Sequence, residues 1–193
     1  MEIVGLILAG GQGSRMGGVD KAMLMLAGRP LVAHLVERLA PQVGALALSA
    51  NGDPTRFGGL GLPVLADAAG HSGQGPLAGV LEGLAWAQGL GARRLLVVAV
   101  DTPFLPTDLV ARLAAAPGGA FAACAGRDHP SVALWPVAAR AQLAADFAGG
   151  ERRMRAAMAG AERIEFSPPD PFFNINTAAD LAAAEALLAE GAR

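Results

Sequence analysis

A glycine-rich segment that carries two cations is the part of the chain best suited to chemistry. Residues 8–21 read LAGGQGSRMGGVDK and directly follow the apolar run IVGLIL of residues 3–8. Glycine lets backbone amides approach a ligand closely because no Cβ obstructs them, and successive amides of this kind bind anions. Arg15 and Lys21 add positive charge to the same segment. The pattern favours a polyphosphate-binding loop over a solvated turn.

Two better-known nucleotide-binding loops do not fit this segment. The dinucleotide fingerprint needs G-x-G-x-x-G, but counting from Gly11 places Met16 at the last position. A P-loop needs G-x-x-x-x-G-K-[ST], and Val19 follows Gly18 where the lysine should stand. The segment therefore indicates a phosphate site of another kind.

A carboxylate follows the most apolar strand candidate. Asp101 comes directly after LLVVAV, residues 95–100, a run typical of a strand that is covered on both faces. Ligands of open parallel sheets bind beyond the carboxyl ends of the strands, and Mg²⁺ prefers one or two carboxylates together with phosphate oxygens. We therefore predict that Asp101 is a Mg²⁺ ligand. The alternative is that it caps the turn formed with Thr102 and Pro103.

Two further polar residues follow predicted strands. Asn51 follows a strand predicted over residues 43–49, and Asp67 follows a short strand predicted over residues 62–65. A carboxylate suits the two adjacent N–H donors of guanine, so this pair fits the recognition of a base or a ribose. The sequence Asn51-Gly52-Asp53-Pro54 is also a strong turn signal. The residues by themselves leave both interpretations open.

The order of apolar runs predicts an α/β fold. Strand-like runs alternate with helical patterns, as in βα units that build a largely parallel sheet. After about residue 118 the pattern changes, because two strand candidates at 120–124 and 131–135 flank Gly126-Arg127-Asp128-His129 and predict a hairpin-like excursion. We expect a Rossmann-like, three-layer α/β/α fold with a mostly parallel sheet and at least one antiparallel strand.

The expected organisation is one domain over residues 1–193. Its nucleotide-facing half spans about residues 1–117, and a different, substrate-facing half spans about residues 118–193. Thr107 is predicted to cap a helix that runs through Leu113, and Thr177 with Asp180 is predicted to cap the last helix. His129 fits a turn or a position facing the second substrate.

Composition excludes several classes of function. Fifteen basic against seventeen acidic residues give a net charge of −2, which argues against electrostatic binding of nucleic acid. No apolar run approaches membrane-spanning length. The single cysteine and the lack of a signal peptide fit a cytoplasmic location. With three histidines and no H-E-x-x-H, a metalloprotease or a histidine-based hydrolase is not expected.

Several motifs, spread in order over nearly the whole chain, resemble the molybdenum cofactor guanylyltransferase (MobA) family: LAGGQGSRMGGVDK, LAGRPL, QGPLAGVLEGL, VAVDTPFLP, RDHPSVAL, GERRM and FFNINTAADL. The resemblance implies a nucleotidyltransferase that transfers GMP from GTP to the terminal phosphate of molybdopterin. Relatives that use CTP typically carry alanine where Gly10 stands, so the choice of guanine depends on that residue. The alternatives are a nucleotidyltransferase that uses CTP or a sugar phosphate, and a non-catalytic carrier of nucleotide or cofactor.

The resemblance also implies roles for particular residues. Leu8, Ala9 and Gly10 would line the guanine and ribose, and Gly11 with the following loop would surround the triphosphate. Arg15 would lie beside the phosphates. The residues that bind GTP in the family correspond to Lys21, Asn51, Asp67 and Asp101. Asp101 would also bind Mg²⁺.

The second substrate and the partners follow from the same resemblance. Gly79 corresponds to a glycine of the family whose backbone must come close to the ligand. Asn174 and Asn176 correspond to asparagines of the family's pterin-binding half. The implied partners are GTP and molybdopterin, with transient contact to a molybdoenzyme or a cofactor-handling protein, and neither nucleic acid nor membrane. The segment AAGHSGQG, residues 68–75, departs from the family and receives no role.

Overall fold

The computed structural model describes residues 2–10, 12–13 and 19–191. Apolar runs of the sequence form a seven-stranded sheet, and the amphipathic segments between them form helices on both of its faces. The elements are β1 (Ile3–Leu8), α1 (Leu31–Leu39), β2 (Leu46–Ser49), β3 (Val64–Leu65), α2 (Pro76–Gly89), β4 (Arg94–Ala99), α3 (Leu109–Ala114), β5 (Ala120–Cys124), β6 (Arg127–Pro136), α4 (Arg140–Ala148), α5 (Met154–Ala157), β7 (Glu162–Phe166) and α6 (Ala178–Gly191).

The order of strands across the sheet is β7-β5-β6-β4-β1-β2-β3. Every neighbouring pair is parallel except the two that involve β6, which runs antiparallel to both β4 and β5. The predicted fold class, an α/β sheet that is mostly parallel with at least one antiparallel strand, is confirmed. Strands β1, β2 and β4 therefore end at the same edge of the sheet, as parallel neighbours must.

The sheet is buried on both faces because successive strand residues point to opposite sides. In β1, Ile7 packs in the cluster that includes residues of α1 and α3, whereas Leu6 packs in the cluster that includes residues of α2 and α4. A third, smaller cluster joins Leu26 and Leu31 to Ile175 and Ala184. That cluster attaches α6 and the segment before it to the start of α1.

Two local predictions need correction. Helix α3 begins after Asp108 and not at Thr107, because the Leu109 amide still donates to the Pro106 carbonyl in a turn that delays the helix. The hairpin turn is confined to Ala125 and Gly126, both with positive φ (48° and 81°), so residues 127–129 belong to strand β6 and not to a loop.

Strand β7 was not predicted from the sequence. Its residues, ERIEF, are mostly charged, as is typical of an edge strand, and they carry too few apolar side chains for a strand signal. The predicted capping pair is confirmed, since the Asp180 amide donates to Thr177 Oγ1 and the Thr177 amide donates to Asp180 Oδ2. None of the helices in the described ranges is long and apolar enough to cross a bilayer.

Candidate functional site

A part-buried ion pair lies at the edge where β1 and β4 end. Lys21 Nζ lies 3.0 Å from Asp101 Oδ2, and the two side chains are 18% and 16% exposed. Lys21 Nζ also donates to Asn176 Oδ1 at 2.5 Å, and Asn174 Nδ2 donates to Asp101 Oδ1 at 3.2 Å. Four residues predicted separately from the sequence thus form one polar cluster.

Local backbone geometry presents each charged member of this cluster. Lys21 begins a short 3₁₀ turn, Lys21–Met23, which Asp20 caps by accepting a hydrogen bond from the Ala22 amide. Asp101 follows β4. The last residue of β4, Ala99, pairs with Leu8, the last residue of β1, so the two strands end side by side. Both side chains therefore emerge at the carboxyl ends of the central strands, where ligands of such sheets bind.

The two asparagines reach the cluster because Ile175 between them is anchored. The Ile175 side chain is fully buried in the third hydrophobic cluster, and its amide donates to the Asp101 carbonyl at 2.9 Å. Successive residues of an extended chain point in opposite directions, so Asn174 and Asn176, on either side of Ile175, both face Asp101 and Lys21. The Asn176 amide in turn donates to Asp180 Oδ2, and this bond holds the pKa of Asp180 below its usual value, with help from Thr177.

A cavity of about 760 Å³ lies beside this cluster, on the β2 side of β1. Its walls contain most of the residues assigned to nucleotide binding together with others that the sequence interpretation did not select: Leu8, Ala9, Gly10, Asp20, Ser49, Ala50, Asn51, Arg56, Asp67, Ser72, Gly73, Gly75, Pro76 and Gly79.

Asn51 and Asp67 form a pair in this cavity. Asn51 Nδ2 donates to Asp67 Oδ2 at 2.7 Å, and the Asp67 amide donates to Asn51 Oδ1 at 2.9 Å. The reciprocal bonds hold the Asp67 carboxylate in one orientation while its other oxygen, Oδ1, receives no hydrogen bond among the described residues. A fixed carboxylate of this kind can accept from paired N–H donors of a ligand.

Two glycines of the cavity serve different purposes. A Cβ on Gly79 would lie 2.3 Å from Ser49 Oγ and 3.1 Å from Leu8 Cδ2, so this glycine lets α2 pack closely on β1 and β2. Among the described residues, a Cβ on Gly10 would meet the Ser49 carbonyl oxygen alone, at 3.8 Å. The packing of the described residues therefore favours glycine at position 79 but makes no such demand at position 10, where the missing side chain leaves room for a ligand.

The donor set at Asp101 fits a divalent cation that is shared with substrate phosphates. Each carboxylate oxygen accepts one hydrogen bond, from Lys21 and Asn174 respectively, so about two of the roughly four lone-pair sites stay available. No group of three histidine, cysteine, aspartate or glutamate residues within the described ranges could hold a metal ion by itself. Mg²⁺ commonly uses one carboxylate, phosphate oxygens and water, which matches such a site.

The segment 68–75, which received no role from the sequence, forms part of the cavity wall through Ser72, Gly73 and Gly75. Gln74 Oε1 accepts a hydrogen bond from Arg152 Nη2 at 2.6 Å, and the His71 ring lies 4.9 Å from that of Phe147. These contacts attach the segment to α4 and to the chain that follows it.

Arg56 and Asp20 are the charged cavity residues that the sequence interpretation missed. The sequence Asp53-Pro54 was interpreted only as a turn, although it begins the 3₁₀ helix Pro54–Leu60. Arg56 lies within this helix and belongs to no recognised motif. Gly11 and Arg15, which the resemblance assigned to the triphosphate, lie outside the described residues.

Two other reactive side chains prove to be buried. His129 is 4% exposed in β6 and packs against Phe172, with Nε2 3.4 Å from Asp170 Oδ2. Burial lowers the pKa of His129, although the neighbouring Asp170 raises it in part. His129 therefore occupies a strand and not a turn. Burial likewise raises the pKa of the Cys124 thiol, as for a packing residue without an activating base.

Comparison with known proteins decides the family. The profile of the MobA-like NTP transferase domain matches residues 5–164, most of the chain. The chain belongs to this family. It is 55% identical over 196 residues to the molybdenum cofactor guanylyltransferase of Cereibacter sphaeroides, and 55% identical over 193 residues to that of Rhodobacter capsulatus, with 100% of each chain covered in both comparisons.

A solved structure shares the fold of this MobA-like NTP transferase. The molybdopterin-guanine dinucleotide biosynthesis protein A of Archaeoglobus fulgidus superposes with a TM-score of 0.73 at 22% identity, and the match covers 98% of this chain and 100% of that chain. This likeness concerns the fold. The family predicted from the motifs is confirmed by the profile match and by the relatives at 55% identity.

Proposed function

We propose that this MobA-like NTP transferase transfers GMP from GTP to the terminal phosphate of molybdopterin, which yields molybdopterin guanine dinucleotide and pyrophosphate. The observation that carries the proposal is the joining of Lys21, Asp101 and Asn176 in one cluster beside a cavity of about 760 Å³. Full-length relatives at 55% identity carry the name of this activity, which supports the same assignment.

The guanine is proposed to lie in the cavity between Gly10 and the Asn51–Asp67 pair. Asp67 would accept hydrogen bonds from the two adjacent N–H donors of guanine, and Asn51 holds that carboxylate in place. Leu8 and Ala9 would line the base and ribose. The absence of a side chain at Gly10, which the packing of the described residues does not demand, supports a purine over a smaller base.

The proposed reaction needs charge neutralisation more than proton transfer. An oxygen of the molybdopterin phosphate attacks the α-phosphorus of GTP, and the bond from that phosphorus to the β-phosphate oxygen breaks. The attacking phosphate monoester is already ionised at neutral pH, so no strong general base is required. Lys21 and, in the undescribed loop, Arg15 would neutralise the phosphates and hold them in line.

Mg²⁺ is proposed as the cofactor, with Asp101 as its protein ligand. A bound Mg²⁺ would offset the charge that accumulates on the phosphate oxygens. Asn174 Nδ2 orients the carboxylate of Asp101, and Lys21 limits its rotation from the other side. The cation binding that this predicts can be measured without turnover, by titrating Mn²⁺ into GTP-saturated protein and into Asp101→Asn.

The second substrate is proposed to approach from the half formed by residues 118–193, with Asn174 and Asn176 at its entrance. These asparagines contact the residues assigned to the phosphates, which suits a place where the two substrates meet. A cytoplasmic location and transient contact with a molybdoenzyme or cofactor-handling protein belong to the same proposal.

The deciding experiment supplies purified protein with Mg²⁺, molybdopterin and either GTP or CTP, and measures pyrophosphate release. We expect release with GTP and little with CTP. Preference for CTP would replace guanylyl transfer by another nucleotidyl transfer. Binding of GTP without any release in the presence of molybdopterin would favour a non-catalytic carrier.

A further inference from the structure

Arg56 is held rigidly at the cavity wall by its own part of the chain. Its Nη2 donates to the Asn51 carbonyl at 2.9 Å, its Nη1 donates to the Asp53 carbonyl, and its guanidinium lies 4.5 Å from the centre of the Phe57 ring. A guanidinium bound at several points in this way loses little entropy when it makes one more contact. Arg56 is therefore a fixed positive charge beside the predicted base site.

The contact that Arg56 makes across the cavity is an ion pair with Asp20. Arg56 Nε lies 2.8 Å from Asp20 Oδ2, and the side chains are 28% and 31% exposed. The N–H bond does not point along that line, so the contact is electrostatic and not a hydrogen bond. Asp20 Oδ1 meanwhile caps the turn that begins at Lys21.

Asp20 poses an electrostatic problem for a nucleotide site. Its carboxylate lines the cavity and precedes Lys21 directly, close to where an anionic triphosphate would bind. A like charge at this position opposes binding, and the opposition is strong at a part-buried site because water screens it poorly. The Asp20 side chain caps the Lys21 turn, and its negative charge at the cavity wall must be offset if an anion is to bind there.

We propose that Arg56 is a positioning residue for the nucleotide, which acts through Asp20 by neutralising its carboxylate and by tying the Lys21 turn to the Asn51 side of the cavity. The inference rests on the proposed function and adds a residue that the motifs do not identify. It connects the base-reading pair to the phosphate-binding cluster through one chain of contacts: Asn51 carbonyl, Arg56, Asp20 and the turn of Lys21.

The test measures GTP binding by calorimetry, without molybdopterin, for the wild-type protein and a set of variants. Arg56→Gln leaves Asp20 unpaired and should weaken GTP binding by about tenfold, which corresponds to about 1.4 kcal/mol. Arg56→Gln combined with Asp20→Asn should bind GTP within about threefold of wild type, because asparagine caps the turn as well as aspartate does and carries no charge. The loss in Arg56→Gln should shrink at high salt.

Two further variants separate charge from structure. Arg56→Lys keeps the charge but loses the fork that binds two carbonyl groups, so its affinity for GTP should lie between those of wild type and Arg56→Gln. Arg93→Gln removes an exposed arginine at the start of β4 and should leave affinity unchanged. Melting temperatures of all variants report whether any of them loses the fold.

The outcomes distinguish this inference from the proposed function. If wild-type protein binds no GTP, the proposed function fails. If wild type binds GTP but Arg56→Gln binds it equally well, or if Asp20→Asn restores nothing to Arg56→Gln, the positioning role of Arg56 is overturned while guanylyl transfer stands.

Discussion

Lys21 Nζ lies 3.0 Å from Asp101 Oδ2 although 80 positions separate the two residues in the chain. The pair joins the glycine-rich amino-terminal segment to the end of β4, and Asn176 adds the carboxyl-terminal region to the same point. Three distant parts of the chain therefore meet at the carboxyl ends of the central strands β1 and β4. Substitutions of residues at this edge of the sheet and elsewhere in the fold test the contribution of each to activity and stability.

Replacing Asp101 should remove activity and leave the fold intact. Asp101→Asn keeps the shape of the side chain but abolishes the charge that pairs with Lys21 and that is proposed to bind Mg²⁺. We expect pyrophosphate release to fall by about a hundredfold or more. The free energy of unfolding should fall by about 1–3 kcal/mol, between the costs of breaking an exposed and a buried pair. Urea denaturation and turnover assays measure the two quantities.

Asp108→Asn provides the matched control for this prediction. Asp108 precedes α3, is exposed, and makes no side-chain hydrogen bond to the helix. It should keep wild-type turnover. Equal turnover in Asp101→Asn and wild type would contradict the proposed metal role.

Asp67 should govern the affinity for the base. Asp67→Asn places an N–H donor where guanine's donors would lie, and we expect the KM for GTP to rise by about tenfold or more, with a smaller change in kcat. Steady-state kinetics with saturating molybdopterin measure both constants. Glu185→Gln, an exposed acidic residue of α6, serves as the control. A KM that does not move would show that guanine is not read by this carboxylate.

Gly79 should be a requirement of packing. In Gly79→Ala the new methyl group would lie 2.3 Å from Ser49 Oγ and 3.1 Å from Leu8 Cδ2, so the Ser49 hydroxyl must rotate away and the remaining contacts must loosen. We expect the free energy of unfolding to fall by about 1–3 kcal/mol, as measured by chemical denaturation. Removing the opposing hydroxyl in Gly79→Ala with Ser49→Ala should recover part of the loss.

Gly89 allows a control within the same helix. A Cβ there would meet nothing within 4 Å, so Gly89→Ala should keep or slightly increase stability. If Gly79→Ala proves as stable as Gly89→Ala, the close approach of α2 to β2 does not constrain position 79.

His129 should make stability depend on pH in mildly acidic solution. Burial lowers its pKa from the ordinary value of 6.5. Below pH 6.5 the histidine is therefore protonated in the unfolded chain while it is still neutral in the folded protein. Stability from this residue is complete above pH 6.5 and declines as the pH falls towards the folded pKa, by at most about 1.4 kcal/mol per pH unit. Denaturation of wild type and His129→Gln between pH 5 and 7.5 measures this slope. An unchanged slope in the variant would assign it to other groups.

The strands and helices were predictable where a local pattern signals them. The continuous apolar run before Asp101 and the regular spacing of leucines from Leu31 to Leu39 correspond to β4 and α1. Strand β7 was not predictable because its charged residues pair with β5 only after the rest of the sheet exists. The start of α3 was misplaced by one residue because a turn after Pro106 competes with capping by Thr107.

The site shows the same division. Asp101, Asn51 and Asp67 stood out by residue type and by their positions after predicted strands, and parallel topology brings strand ends together. Lys21 stood out as a cation of the glycine-rich segment. Arg56 did not stand out, because the contact that gives it a role is with Asp20, 36 positions earlier in the chain, and no local pattern signals such a contact. The wall formed by residues 68–75 also depends on distant anchors, such as Arg152.

Residue order alone determined the α/β architecture and the family, because hydrophobic periodicity and short motifs are local features of the sequence. The phosphate-binding role of the amino-terminal segment stays a prediction. Only the tertiary structure decided that Asn174 and Asn176 face Lys21 and Asp101. That arrangement depends on the burial of Ile175 between α6 and α1, and packing between segments so far apart has no local signature in the sequence.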